Sequence, residues 1–434
     1  MDLSLHPQTE GNASAWSQFY RVRTTKEPGL LMMIALCAFI GSIPFEMSLS
    51  VAPGAFSITT LIGYAFFVVS IFNMRRCFAA PPPAFWIFVV YFYISTITSI
   101  SLSGTHVDEA IRRLVSVGQL LLMVLICSNL FRYPRFFFAT LWALGIGCFI
   151  VGCLHLRGVG ASSISHVNVE TRETQFGSDP NFQAMMMGVG ALAILGLAHA
   201  RRNVAWWLPL IAWPMAAVIL YDVSRTGSRA GLVGFALGLI SFVFMKDSPA
   251  KMLMRSLAVG CALVTSIAVM LQSDLLRMRI EKTLNSSDTN GRELIFGAAF
   301  KMFKERPLFG YGGMNNQYEL FERIALSFKG QALYSLDTHN QILGVATETG
   351  LVGLIPFLGG VMMCFFFAFR ARGTSYGVIS LAILINTVVS NSSGNGHILK
   401  VTWLAFALAL GSEWAWQREK SPAAVASHPV QATA

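Results

Sequence analysis

The chain has 434 residues, 54% of them apolar and only 12% charged, with a mean hydropathy of +0.57. Soluble domains carry about 25% charged residues, so this composition excludes an ordinary water-soluble globule. The formal net charge of +10 does not indicate a nucleic-acid partner, because the basic residues sit mostly as short pairs between apolar runs, as membrane topology requires.

The first 28 residues are largely polar and are expected to form a cytoplasmic tail, 1–28. Gly29 to Phe45 reads as an uncleaved first span, because the tail is too long and lacks the small-residue cleavage site of a secretory signal. A bilayer core of about 30 Å needs about 20 apolar residues per helix. Runs of about that size fall near 29–47, 55–74, 83–102, 110–130, 135–155, 181–199, 204–221, 229–245, 253–271, 341–369, 374–390 and 397–416. Strand alternation is absent, which argues against a β-barrel. The expectation is an all-α polytopic membrane protein of about twelve transmembrane helices: nine over 29–271, a long external loop over 272–340, and three over 341–416. A cytoplasmic tail follows over 417–434, with a disordered Ser/Pro/Ala-rich end from Ser421. No internal repeat is visible. The seven cysteines lie in or beside apolar runs without C-x-x-C or Cys/His spacing, so neither a disulfide framework nor a metal site is expected.

Orientation follows from the basic residues. Arg21, Arg23 and Lys26 precede the first run, and Arg75–Arg76 follow the second. Arg132 and Arg135, Arg201–Arg202, Lys246 with Lys251 and Arg255, Arg370 with Arg372, and Arg418 with Lys420 mark every second connection thereafter. One assignment puts all of them, and both termini, in the cytoplasm. Two segments then fall outside. One is the short loop Tyr221–Arg229, carrying Arg225 and Arg229 against the trend. The other runs from Gln272 to His339 with nine Lys/Arg and eight Asp/Glu, a mixed surface able to fold. Within it Thr289 or Asn290 can cap a helix that stops at Pro307. Ile295, Phe296, Ala299, Met302 and Phe303 share one face of that helix, which can lie along the outer interface while Arg292, Lys301 and Lys304 reach water.

Several residues in these segments can carry chemistry. Arg225 and Arg229 are four apart, with Ser224 or Ser228 as a cap. They form either an anion site at a helix start, which suits phosphate oxygens, or a pair of snorkelling interface anchors. His339 can take a hydroxyl proton near neutral pH, or simply hydrogen-bond at a helix start. Asp337 can orient that imidazole or cap the tenth span. Glu348, costly in a bilayer, should face protein or a wet cavity, or hydrogen-bond between helices. Asp179-Pro180-Asn181 reads as the cap of the sixth span. Arg112 and Arg113 enter the fourth span from outside, and either add to a positive cavity or snorkel.

The segment Thr226-Gly-Ser-Arg-Ala-Gly-Leu-Val-Gly234 resembles the Ser-Arg element of the O-antigen ligase family. Arg292, followed by an amphipathic stretch and Glu305-Arg-Pro-Leu-Phe-Gly-Tyr-Gly-Gly313, is similar to that family's loop. His339-Asn340, nine residues, then Gly350-x-x-Gly353 resembles its His-polar-x9-Gly-x-x-Gly pattern. The resemblance implies a lipopolysaccharide-biosynthesis glycosyltransferase of the bacterial inner membrane, working on the outer side. It would transfer a glycan from an undecaprenyl diphosphate carrier to a lipid A-core hydroxyl, or in related polymerases to another carrier-linked repeat unit. By position Arg229 and Arg292 would bind the diphosphate and His339 would be the base. Arg225, Asn340, Arg112 and Arg113 become candidate substrate contacts, though Arg225 has no secure counterpart. The family needs no metal and no cofactor, which fits a chain without a carboxylate cluster. A transporter or flippase is the reading of another class. It would place polar groups near the bilayer midplane, often with inverted repeats, whereas here they gather at one face.

Overall fold

A computed structural model of the protein describes residues 27–46, 57–79, 81–102, 104–164, 172–175, 178–201, 206–245, 248–286, 292–325 and 336–419. The polar tail up to Lys26, the end from Ser421, Lys246, and the proposed caps Thr289 and Asn290 lie outside the described residues.

Helices occupy all twelve apolar runs. They are α1 (Leu30–Ser42), α2 (Ile58–Ile71), α3 (Pro83–Leu102), α4 (Val107–Leu130), α5 (Pro134–Leu156), α6 (Pro180–Arg201), α7 (Leu208–Arg225), α8 (Arg229–Ile240) and α9 (Pro249–Met270). Three more, α10 (Asp274–Ser286), α11 (Arg292–Glu305) and α12 (Asn315–Ile324), fold the long connection; α13 (Gln341–Arg370), α14 (Ser375–Ser390) and α15 (Lys400–Glu419) complete the chain. Eight of the helices are long and apolar enough to cross a membrane, and Leu30–Phe45, Ile58–Ile71 and Arg229–Phe244 are apolar but shorter. The protein is an α-helical multi-pass membrane protein.

Local chemistry sets the helix starts. Pro83, Pro134, Pro180 and Pro249 open helices where a missing N–H costs nothing. Asp179 accepts from the amides of Asn181 and Phe182 at 2.8 and 3.0 Å, which makes it the expected cap of α6. Burial separates centre from rim. In α6, 94% of the apolar window is buried, against 17% in α9, whose Met252, Leu253, Met254, Leu257 and Val264 are exposed. A helix apolar all round suits lipid on its open side. α6 packs on α5, α7, α8 and α14 and forms the middle of the bundle.

The course of the chain departs from the sequence expectation in two places. A two-stranded antiparallel hairpin, β1 (Ala161–Ile164) with β2 (Arg172–Gln175), follows α5. The expected loop Tyr221–Arg229 shrinks to Thr226–Ser228, because α7 continues through Arg225 and α8 starts at Arg229.

Candidate functional site

The α7–α8 junction turns at Gly227, whose φ of +61° favours glycine. Ser228 caps α8 by accepting from the Gly231 amide at 3.3 Å, which makes Arg229 the first helical residue. This turn separates the two arginines, which would share a helix face only if the helix began before Arg225. Arg225 ends α7 and pairs through Nε, at 2.7 Å, and Nη2 with Glu173 Oε2 of β2, beside the Tyr221 ring. Arg225 is thus engaged by the hairpin, and Arg229 alone opens α8.

Arg229 has a different companion. Burial lowers the Arg292 guanidinium from its ordinary value, the positive charge of Arg229 lowers it further, and Asp179 opposes both. Arg229, Arg292 and Asp179 thus belong to one electrostatic cluster, assembled from the starts of α8, α11 and α6. Arg292 does not simply reach water as expected, since its Nη1 donates to Ser393 Oγ at 2.6 Å. Lys301 and Lys304 are exposed as expected, and Ile295, Ala299 and Met302 are buried.

Ser393 belongs to the segment Asn391–Leu399 between α14 and α15, which gathers the rest of the site. Its Ser392 carbonyl accepts from Asn340 Nδ2 at 3.4 Å, and Asn395 Nδ2 donates to Asp337 Oδ1 at 2.5 Å. Asn340, rather than Asp337, caps α13, with its side-chain oxygen accepting from Ile342 and Leu343 amides at 3.0 Å each. Asn340, a candidate substrate contact, thus also holds the start of α13. Burial pushes the Asp337 carboxyl up, against the fields of His339, Arg113 and His397. Asp337 therefore lies in the electrostatic reach of His339. His339 itself holds φ at +48°, uncommon for a residue with a side chain, and is half-buried.

Below these residues lies a buried polar triad of Arg113, Glu348 and His397. Arg113 Nη2 is 2.7 Å from both Glu348 Oε2 and His397 Nε2, and Ser95 Oγ donates to Glu348 Oε1 at 3.0 Å. Glu348 faces protein, as its cost in a bilayer requires. Arg113 is an ion-pair partner rather than a snorkelling anchor, while its neighbour Arg112 is exposed.

The glycine pattern has a backbone cause. At Gly350 α13 breaks, with φ +61° and ψ −163°, a conformation almost restricted to glycine. The Pro307–Gly312 segment docks across the break, with amides of Leu351, Val352, Tyr311 and Gly312 bonding to Pro307, Leu308, Thr347 and Glu348 carbonyls at 2.8–3.2 Å. The loop motif and the Gly-x-x-Gly motif thus meet as one backbone joint beside the triad.

Sequence reasoning missed His397, the hairpin, and a second buried pair in which His155 Nδ1 meets Asp222 Oδ1, itself held by Gln183 Nε2 at 2.9 and 3.0 Å. The available signal was the presence of ionisable residues inside apolar runs, each of which calls for a partner.

A family model described as O-antigen ligase matches residues 214–358. Over 224 residues the chain is 27% identical to an O-antigen ligase of Pseudomonas aeruginosa, covering 51% of this chain and 45% of that protein. A candidate polysaccharide ligase of Rickettsia conorii is 28% identical over 195 residues, covering 43% and 46% of the two chains. Each match spans less than half of the relative's own length. A solved chain from a peptidoglycan synthase complex superposes with a TM-score of 0.39 at 15% identity, over 76% of this chain and 97% of that one. Over residues 214–358, and in the stretches the two relatives match, the chain is thus similar to O-antigen ligases.

Proposed function

We propose that this chain is an O-antigen ligase family member, a membrane glycosyltransferase that moves a glycan from a polyprenyl diphosphate carrier to an acceptor hydroxyl, at the outer face of the bacterial inner membrane. The observation that carries the reading is that Arg292, at the start of α11, donates to Ser393 in the Asn391–Ser393 turn, which packs on α8, the helix that Arg229 opens; the Arg292 guanidinium accordingly feels the charge of Arg229. Helix N-termini and guanidinium groups both favour phosphate oxygens. In the reaction the acceptor oxygen bonds to the anomeric carbon as the bond from that carbon to the diphosphate oxygen breaks. The acceptor proton passes to His339, and Arg229 with Arg292 stabilises the charge on the departing diphosphate. Undecaprenyl diphosphate is the proposed carrier and lipid A-core the leading acceptor. A carrier-linked repeat unit is the acceptor if the chain is a polymerase, because the same residues serve both.

The test uses purified full-length protein in lipid nanodiscs with a polyprenyl-diphosphate-linked glycan and each acceptor in turn. Glycosylated acceptor and free polyprenyl diphosphate should appear in equal amounts. Movement of the lipid-linked glycan across a vesicle membrane with no new glycosidic bond would replace this reading with a transporter.

A further inference from the structure

We infer that Arg172 is a positioning residue for Arg229, and that the β1–β2 hairpin is the clasp that delivers it; the inference rests on the diphosphate reading of Arg229. Arg172 is only 7% exposed, although it lies on a short strand outside the helices. Its Nε donates to the Thr226 carbonyl at 2.8 Å, and its Nη2 donates to Asn181 Oδ1 at 3.2 Å. Ser228 donates to the same Asn181 oxygen at 3.0 Å while capping the helix that Arg229 opens. One guanidinium thus ties both ends of the Thr226–Ser228 turn, directly at Thr226 and through Asn181 at Ser228. Asn181 also sits on the Asp179 cap, and Asp179 lies in the field of Arg292.

The hairpin is itself held from two sides. Glu173 takes Arg225 on one side and lies 3.7 Å from His155 Nε2, and the Gln175 amide donates to Gln183 Oε1 at 2.8 Å. The Gly227 turn has glycine freedom at its centre. Without the clasp the start of α8 loses a fixed direction, and so does Arg229. A planar fork reaches two acceptors on different elements, which a lysine ammonium on one flexible stem does not reproduce.

Arg172→Gln, Arg172→Lys, Arg229→Gln and the double variant Arg172→Gln/Arg229→Gln are compared as purified full-length protein. Donor and acceptor are varied separately, with inorganic pyrophosphate as a competing probe. Arg172→Gln should lower kcat/KM for the donor about 10- to 100-fold. It should leave the acceptor KM unchanged and weaken pyrophosphate inhibition, and Arg172→Lys should not restore the donor step. In the Arg229→Gln background, Arg172→Gln should add no more than about twofold, since it acts through the residue already removed. A merely structural role would lower the active fraction and move neither KM, which would overturn the inference. Additive losses would overturn it as well. If Arg172→Gln does not fold, Arg172→Lys and Asn181→Ala carry the same comparison. Normal transfer by Arg229→Gln would sink the diphosphate reading and the clasp together, whereas a crippled Arg229→Gln beside normal Arg172 variants would sink the clasp alone.

Discussion

Three features of His339 bear on a role as base. Its backbone is held at positive φ, it sits one residue before the cap of α13, and the half-buried Asp337 carboxyl lies within its electrostatic reach. A base that orients towards a substrate needs such restraint, because proton transfer requires placement within hydrogen-bond reach. His339→Ala should keep normal abundance and melting behaviour yet lose about 10²- to 10⁴-fold in transfer. His339→Gln, which keeps a polar side chain with little basicity, should lose nearly as much. Normal transfer by His339→Gln would make the residue a local hydrogen-bonding group. The sequence singled out His339 and Glu348 because a histidine at a span boundary and a carboxylate inside one both call for a function or a partner. It could not name the partners. His397 is separated from Glu348 by 49 residues, and only the packing of α4, α13 and the Asn391–Leu399 segment brings the three side chains together.

At the scale of elements, the joint between α13 and the Pro307–Gly312 segment is tightly constrained. A methyl group added to Gly350 would lie 2.2 Å from the Leu308 carbonyl oxygen, and that neighbour is backbone that cannot swing away. Gly350→Ala should cost at least about 1–3 kcal/mol from its backbone conformation alone. It should also expose the Tyr311 and Gly312 amides to hydrogen exchange, because their acceptors, the Thr347 and Glu348 carbonyls, flank the break. Retained protection at both amides with an unchanged melting temperature would show that the docking does not depend on this glycine. The Gly-x-x-Gly spacing was legible in the sequence, but its cause was not. Hydropathy sees an unbroken apolar run through 341–369, and the break follows from where another segment's carbonyl arrives. The hairpin was illegible for a related reason, since two four-residue strands carrying polar residues give too little alternation to detect.

For the molecule as a whole, the apolar runs were readable because each helix must satisfy its backbone internally and cover itself with apolar side chains. The positions of α1 to α9 and α13 to α15 follow from that single constraint. Sidedness rests instead on the distribution of basic pairs, which predicts that α10 to α12 lie outside. Lys304 is exposed on α11, so in a Cys261→Ser background Lys304→Cys should react with a membrane-impermeant thiol reagent added from the periplasmic side. Reaction only after the inner face is opened would reverse the topology. The start of α11 meets the Asn391–Leu399 segment through Arg292 and Ser393, and that segment packs on α8, which Arg229 opens; the proposed donor site rests on this arrangement. Its most direct test is donor binding and single-turnover transfer by purified Arg229→Lys and Arg292→Lys, with donor and acceptor varied independently. Lysine keeps the charge but not the paired donors, so both variants should bind the lipid diphosphate more weakly and transfer more slowly at any acceptor concentration. Unchanged donor binding and turnover in both variants, or a defect cured by excess acceptor alone, would contradict diphosphate recognition by these two arginines.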